Sequence, residues 1–445
     1  MNLACGLRGG LRIAAAAIAL ALLTASPAWA THIERVVSPG GIEAWLVHEP
    51  RVPLIAIELA FAGGAAQDPA DRLGTANLTA GLLDEGAGEL DSKAFRERVE
   101  RHAIELGFNA SRDYLRGSLR TLTEHRDEAF DLLRLSLTSA RFDTEPLERS
   151  RSQVLSSLRR ETASPSELAT RRFFSVAFAG HPYGRPSDGT LDSVQRITAD
   201  DLRAYAKRVL AKDNLKIAVV GDIDSQTLAT LLDKTFGELP AKAQLTPVPD
   251  VVAQTGGSQI NIALDVPQTA VMFGAPALPR KDPDFMTGYV LNQIMSGSGV
   301  ASRLYDEVRE KRGLVYSISE SVVWLNHAAL LLGFTATRAD RANETIDATA
   351  RELKRMAEDG PTSAELEGAK AYLNGSQMLS LDTSGKIAAA VLQYQLDGLG
   401  IDYIDHRAGI INAVSLDDAK RVARKLWGQP FLTVAVGRVA QAARD

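Results

Sequence analysis

The chain carries two copies of one unit, and that repetition restricts the folds open to it. In the first copy Ile197-Thr198-Ala199-Asp200-Asp201 opens a helix, and residues 215–220 form a strand closed by Gly221. In the second, Val414-Ser415-Leu416-Asp417-Asp418 opens a helix, and residues 432–436 form a strand closed by Gly437. A Ser or Thr ahead of acidic residues starts helices because its hydroxyl satisfies a free N–H of the first turn. The two units share nearly the same internal spacing, so the chain repeats itself once. Between them, residues 240–258 are rich in Pro, Gly, Gln and Thr and show little periodicity, the mark of a linker. The expected organisation is therefore two α+β domains, at 31–239 and 258–445, joined by 240–257, each a largely antiparallel sheet with helices.

The elements expected ahead of the first unit follow from apolar spacing. Residues 42–46 and 54–61 read as paired strands with a turn at Glu49-Pro50. Leu73, Leu78, Leu82 and Leu83 predict a helix over 74–84. A second helix is expected from Ser92, as its N-cap, to about Leu106. Residues 114–122 alternate as a strand, 126–139 and 144–161 are helical, and 181–184 form a loop.

Residues 1–30 read as a secretory signal that is removed, with an uncleaved N-terminal anchor as the alternative. Arg8 and Arg12 precede an apolar run over 13–23, and Ala28-Trp29-Ala30 is a small-x-small cleavage site. That run is short for a membrane span, and no other segment is apolar for long enough. The one cysteine, Cys5, falls inside the signal, which leaves the mature chain without disulfides or thiolate metal ligands. A periplasmic location is expected. The formal net charge is -5 with no basic block, so nothing suggests nucleic-acid binding. There is no Gly-x-Ser-x-Gly elbow and no phosphate-loop lysine motif.

Residues 302–319, SRLYDEVREKRGLVYSIS, hold the strongest functional signal. Leu304, Tyr305 and Val308 define one face of a helix that stops at Gly313. Leu314, Tyr316 and Ile318 then alternate with Val315, Ser317 and Ser319 as a strand. Arg309, late on the helix, and Tyr316, early on the strand, are thereby brought to one place. A guanidinium and a phenol there can donate to a peptide carbonyl or a developing oxyanion. An ordinary helix–strand join with a surface Arg and a half-buried Tyr is the alternative.

The pattern Gly297-Ser298-Gly299-x-x-Ser302-Arg303-Leu304-Tyr305, continued by Arg309 to Ser317, resembles the C-terminal-domain signature of the pitrilysin (insulinase-like) zinc metallopeptidase family. The resemblance covers nearly the whole mature chain. It implies two similar halves facing one another like a clamshell around an unfolded peptide. It also implies that Arg309 and Tyr316 bind substrate near a zinc ion. Gly297, Ser298 and Gly299 form a candidate substrate-contacting turn, with a plain loop as the alternative.

The family's hallmark is His-x-x-Glu-His on a helix, two imidazoles on one face and a Glu that activates the metal-bound water, completed by a distant Glu. The matching positions here are Asn77, Ala80 and Gly81, with Ser157 in place of the distant Glu. All four chemical groups are missing, and the seven histidines include no helical zinc pair. The resemblance thus implies a non-catalytic subunit with no cofactor of its own. Zinc is expected on a homologous partner chain that retains the motif, with a peptide or unfolded polypeptide as substrate. A peptide-binding or scaffold protein without any catalytic role is the other reading.

Overall fold

The computed structural model describes residues 32–297 and 302–438. Residues 1–31, with the expected signal, lie outside the described residues. Among the described residues, eleven strands form two sheets: β1 Glu34–Val37, β2 Glu43–His48, β3 Leu54–Ala62, β4 Glu105–Ala110, β5 Tyr114–Leu122 and β6 Leu215–Gly221 in the first, β7 Gln259–Ala263, β8 Gln268–Pro276, β9 Val315–Trp324, β10 Ala329–Arg338 and β11 Leu432–Gly437 in the second. The helices ahead of the second sheet are α1 Thr75–Ala80, α2 Ser92–Arg101, α3 Arg126–Thr138, α4 Thr144–Glu161, α5 Pro165–Ala177, α6 Leu191–Arg196, α7 Ala199–Val209 and α8 Ser225–Phe236. Those after its first strands are α9 Phe285–Asn292, α10 Ala342–Asp359, α11 Ser363–Ser380, α12 Ser384–Leu396, α13 Tyr403–Asn412 and α14 Leu416–Trp427. The fold is α+β.

The repeat extends to topology. The first sheet runs β1-β2-β6-β3-β5-β4 and the second β7-β11-β8-β10-β9. In each, one parallel pair (β2 with β6, β7 with β11) sits beside antiparallel neighbours. The repeated helices start as their caps dictate. Thr198 accepts from the Asp201 N–H, and Ser415 accepts from the Asp418 N–H. Both helices carry acids in the first turn and bases in the last, matching the helix dipole.

Several expected bounds shift. β2 and β3 are not a hairpin, because β6 lies between them, with Trp45 opposite Ala218 and Ile57 opposite Val219. β2 is buried nearly end to end, as suits a strand flanked on both edges. The helix expected over 74–84 is α-helical only to Ala80 and then tightens into turns, with Leu82 N donating to Thr79 O and Leu83 N to Ala80 O. The next helix ends at Arg101, and Asp91 rather than Ser92 caps it by accepting from the Ala94 N–H. Leu106 belongs to β4.

Each half covers one face of its sheet with its own helices and the other with a helix from the opposite half. α5 lies on β8 and β11 of the second sheet, where Ala169, Phe173, Phe174 and Ala177 join Met272, Leu432, Val434 and Val436 in one buried cluster. Gly274 of β8 makes this approach possible, since a Cβ there would stand 2.7 Å from the Phe173 ring. In exchange α12 lies on β3 and β6 of the first sheet. Ala388, Val391 and Leu392 meet Trp45, Val47, Ala56, Ala60, Ala218 and Val220. Small residues on that sheet face let the helix sit close.

Polar contacts fasten the same junction. The buried Tyr183 hydroxyl donates to Asp113 Oδ1, Asn326 N donates to Asp113 Oδ2 (2.9 Å), and His327 N donates to the Tyr183 oxygen (3.1 Å). The segment 240–257 is irregular but strapped to both halves. Thr246 exchanges two hydrogen bonds with Gln67, Gln254 N donates to Ala177 O, and Thr255 Oγ1 donates to Pro430 O.

Candidate functional site

Arg309 and Tyr316 do meet. Arg309 sits on a run, Tyr305–Glu310, wound more loosely than an α-helix: Lys311 N reaches Asp306 O, one residue further back than an α-helical bond. Leu304, Tyr305 and Val308 are buried, as their spacing predicts. Gly313 ends the run with φ +62°, a left-handed conformation open to glycine. The Arg309 guanidinium carbon stands 4.5 Å from the Tyr305 ring centroid and 5.3 Å from that of Tyr316, so the cation is held between two rings. Such contacts contribute about 0.5–1 kcal/mol each at exposed sites.

Tyr316 is not half-buried. It is 85% exposed, and a β-bulge is the reason. Thr337 faces Val315 and Thr335 faces Ile318, so three steps on β9 oppose two on β10. Simple alternation would place Tyr316 with Leu314 and Ile318 on the core face. The extra residue lets Val315 and Ile318 both turn inward and leaves Tyr316 pointing out. Two buried threonines hold the irregular backbone: Thr335 Oγ1 donates to Ser317 O and Thr337 Oγ1 to Leu314 O, each at 2.7 Å. The Tyr316 hydroxyl makes no hydrogen bond among the described residues, and it is free to donate to a ligand.

Gly297 closes a second loosely wound run, Gln293–Gly297, next to β9. Ser298 and Gly299 lie outside the described residues. Behind this run Glu320 of β9 is buried. Its N–H donates to Ser296 Oγ, Trp427 Nε1 donates to both carboxylate oxygens, and Asn292 Nδ2 donates to Oε1. Burial pushes the Glu320 carboxyl up to about 7, against those hydrogen bonds. From about pH 4.5 to 7 the folded chain keeps a proton on Glu320 that the unfolded chain releases. Stability from this group therefore falls as pH rises through that window and levels off above it, with a slope of about 1.4 kcal/mol per pH unit. Glu320→Gln abolishes the titration and keeps an acceptor for Trp427. In thermal unfolding across this range, the variant's stability relative to the unsubstituted chain should rise with pH up to about 7 and stay constant beyond. A difference independent of pH would mean that the carboxylate ionises as freely folded as unfolded.

The zinc-motif positions occupy the first half. α1 packs against α4 and α7. Asp68 caps α1, accepting from Gly74 N (2.7 Å) and Ala76 N (2.9 Å). Asn77 and Gly81 share the more open face, while Ala80 is buried. Ser157 Oγ on α4 donates to Glu161 Oε1 at 3.4 Å, and Glu161 is itself paired with Arg171 at 2.6 Å. An amide, a methyl, a hydrogen and a hydroxyl do not make a zinc site. Among the described residues, no group of three or more His, Cys, Asp or Glu could hold a metal ion. The residues present do not fit the zinc that the resemblance implies for catalytic relatives. The two histidines brought together, His102 and His125, are an edge-on ring pair at 4.7 Å. His181 is structural: its Nδ1 accepts from Tyr183 N, which leaves Nε2 as the donor to Pro249 O. Among the described residues, no hydrogen bond, ion pair or ring contact joins Arg309 or Tyr316 to the α1 positions.

Comparison with known proteins decides the family. Residues 44–190 match "Insulinase (Peptidase family M16)", and residues 196–373 match "Peptidase M16 inactive domain". The chain belongs to peptidase family M16. A Helicobacter pylori relative described as "Non-peptidase homolog YmxG" is 28% identical over 82% of this chain and 85% of its own length. A Bacillus subtilis relative, "Uncharacterized zinc protease YmxG", is 25% identical over 90% of this chain and 97% of its own. A solved M16 inactive domain from Pseudomonas fluorescens superposes with a TM-score of 0.86 at 25% identity, covering 92% of this chain and 98% of that one. The family and the missing ligands together suggest an inactive M16 protein. Among the described residues, no helix of this M16 chain is long and apolar enough to cross a membrane.

Two features of the site leave almost no mark in the sequence. The bulge was one, and its only trace is Val315 and Ile318, both apolar, at a spacing that breaks alternation. The stacking role of Tyr305 was the other, since its helical spacing marks it as core and nothing more.

Proposed function

We propose that this chain is the non-catalytic member of a two-chain M16 zinc peptidase of the periplasm. It supplies Arg309 and Tyr316 to the substrate backbone at the zinc of a homologous partner that keeps His-x-x-Glu-His. The observation that carries this reading is the bulge. It presents an exposed phenol beside a ring-held guanidinium on a chain whose own metal positions hold no ligands. Two donors so placed suit a carbonyl that gains negative charge during attack.

The test is recovery of the tagged chain from the periplasmic fraction of its native host, followed by intact-mass and elemental analysis. A homologous chain with the intact motif should accompany it, with one zinc per pair, and this chain should begin at Thr31. Recovery of the chain alone with a tightly held zinc, or with peptidase activity that survives a chelator, would overturn the proposal. A catalytically inactive peptide-binding or scaffold protein is the second reading. The description of the H. pylori relative as a non-peptidase homolog supports it. Recovery without a motif-bearing partner, and without activity, would favour that reading instead.

A further inference from the structure

A cavity of about 340 Å³ opens where α9, α11, α12 and α13 meet, beside Trp324 at the far end of β9. Eight strand steps separate Trp324 from Tyr316, roughly 27 Å along β9. The cavity is thus distinct from the Arg309–Tyr316 site.

The walls are largely aromatic. Phe285 and Trp324 meet edge to face at 5.2 Å between centroids, Tyr394 and Tyr403 at 5.1 Å, and Tyr289 completes the ring. The charges at the floor cancel. Asp397 accepts from Trp324 Nε1 (3.0 Å), Gln393 Nε2 (2.7 Å) and Arg280 Nε (3.1 Å), and its side chain is only 8% exposed. Arg280 in turn lies over the Phe285 ring at 4.4 Å.

Arg407 is the remaining charge. Its Nη1 donates to Leu373 O (3.2 Å) and Gln377 Oε1 (3.1 Å), both neutral acceptors. Among the described residues no carboxylate lies within ion-pair reach of it, and its Nε and Nη2 make no hydrogen bond. A half-buried guanidinium with donors to spare, at an aromatic cavity, is matched by a carboxylate attached to an apolar body. The volume falls in the range of small-ligand sites.

We propose that this cavity binds an apolar residue bearing a free carboxylate, its side chain among the rings and its carboxylate on Arg407. The last residue of a peptide and a free small apolar acid share this chemistry.

Calorimetric titration of the mature chain tests it with three probes: acetyl-Ala-Ala-Phe as the free acid, the same peptide as its C-terminal amide, and 3-phenylpropionate. The free acid should bind at least about tenfold more tightly than the amide, as expected for a hydrogen bond to a charged group. Arg407→Gln should erase that preference, weakening acid binding far more than amide binding. Ala390→Trp, which fills the cavity from α12, should abolish binding of both peptides. Phenylpropionate binding as tightly as the tripeptide acid would assign the site to free acids, and weaker binding would assign it to peptide ends. Equal affinity for acid and amide, an acid preference that survives Arg407→Gln, or no saturable binding would overturn the proposal. If Arg407→Gln does not fold, undiminished acid binding in Ala390→Trp does so equally.

Discussion

In the two-chain peptidase proposed above, Tyr316→Phe should slow turnover by about a hundredfold or more while leaving this chain's stability unchanged. The size follows from the role: removing one donor aimed at a developing oxyanion typically slows turnover by about 10²–10³. The selectivity follows from the bulge. The ring is 85% exposed and its hydroxyl bonds to no described residue, so its loss opens no cavity and orphans no partner. Arg309→Ala should reduce turnover comparably. It also removes the cation between the Tyr305 and Tyr316 rings, a small loss at an exposed site. If both groups hold one carbonyl, the double variant should be less impaired than the product of the single effects. Turnover would be measured on the complex, with size exclusion to show that assembly persists. Full activity of the double variant would remove both residues from the active site and leave the scaffold reading ahead.

The organisation around that site was legible wherever the signal is local. The caps at Thr198 and Ser415 are short-range chemistry, and both helices start where those hydroxyls dictate. The repeat they announce recurs in the strand order of both sheets. The missing zinc groups are a matter of residue identity at four positions, Asn77, Ala80, Gly81 and Ser157. What failed to show depends on distant partners. Nothing in residues 43–62 tells that β6, more than a hundred and fifty residues later, inserts between β2 and β3. The bulge at Tyr316 exists because Thr335 and Thr337 of the next strand take up the stray carbonyls. The apolar face of α5 announces that the helix is buried but not against which sheet.

That last ambiguity has an energetic consequence. Phe173→Ala, a change in the first half of the chain, should destabilise the second. The Phe173 side chain is fully buried against β8 and β11, seated over Gly274. Truncating a buried Phe costs about 3–5 kcal/mol, a large share of the roughly 5–15 kcal/mol that holds a protein folded. Leu392→Ala on α12 should act in the mirror sense on the first sheet, at about 2–5 kcal/mol. Because each sheet relies on the other half's helix, neither half should melt alone. Each variant should unfold in one transition at lower denaturant, with an unchanged denaturant slope. Hydrogen exchange locates the effect. Phe173→Ala should release the amides of β8 and β11 together with those of α5, and Leu392→Ala those of β3 and β6 together with those of α12. If Phe173→Ala instead loosened only the first half's own elements, the helix exchange would be a contact without energetic weight. The chain would then be two independent domains on a strap, free to move apart. If the exchange does carry weight, the sheet whose edge strand β9 presents Tyr316 is braced at β8 and β11 by a helix from the other half, which steadies that edge through β10. Such a held edge is what a donor pair needs in order to meet a partner's substrate at one fixed place.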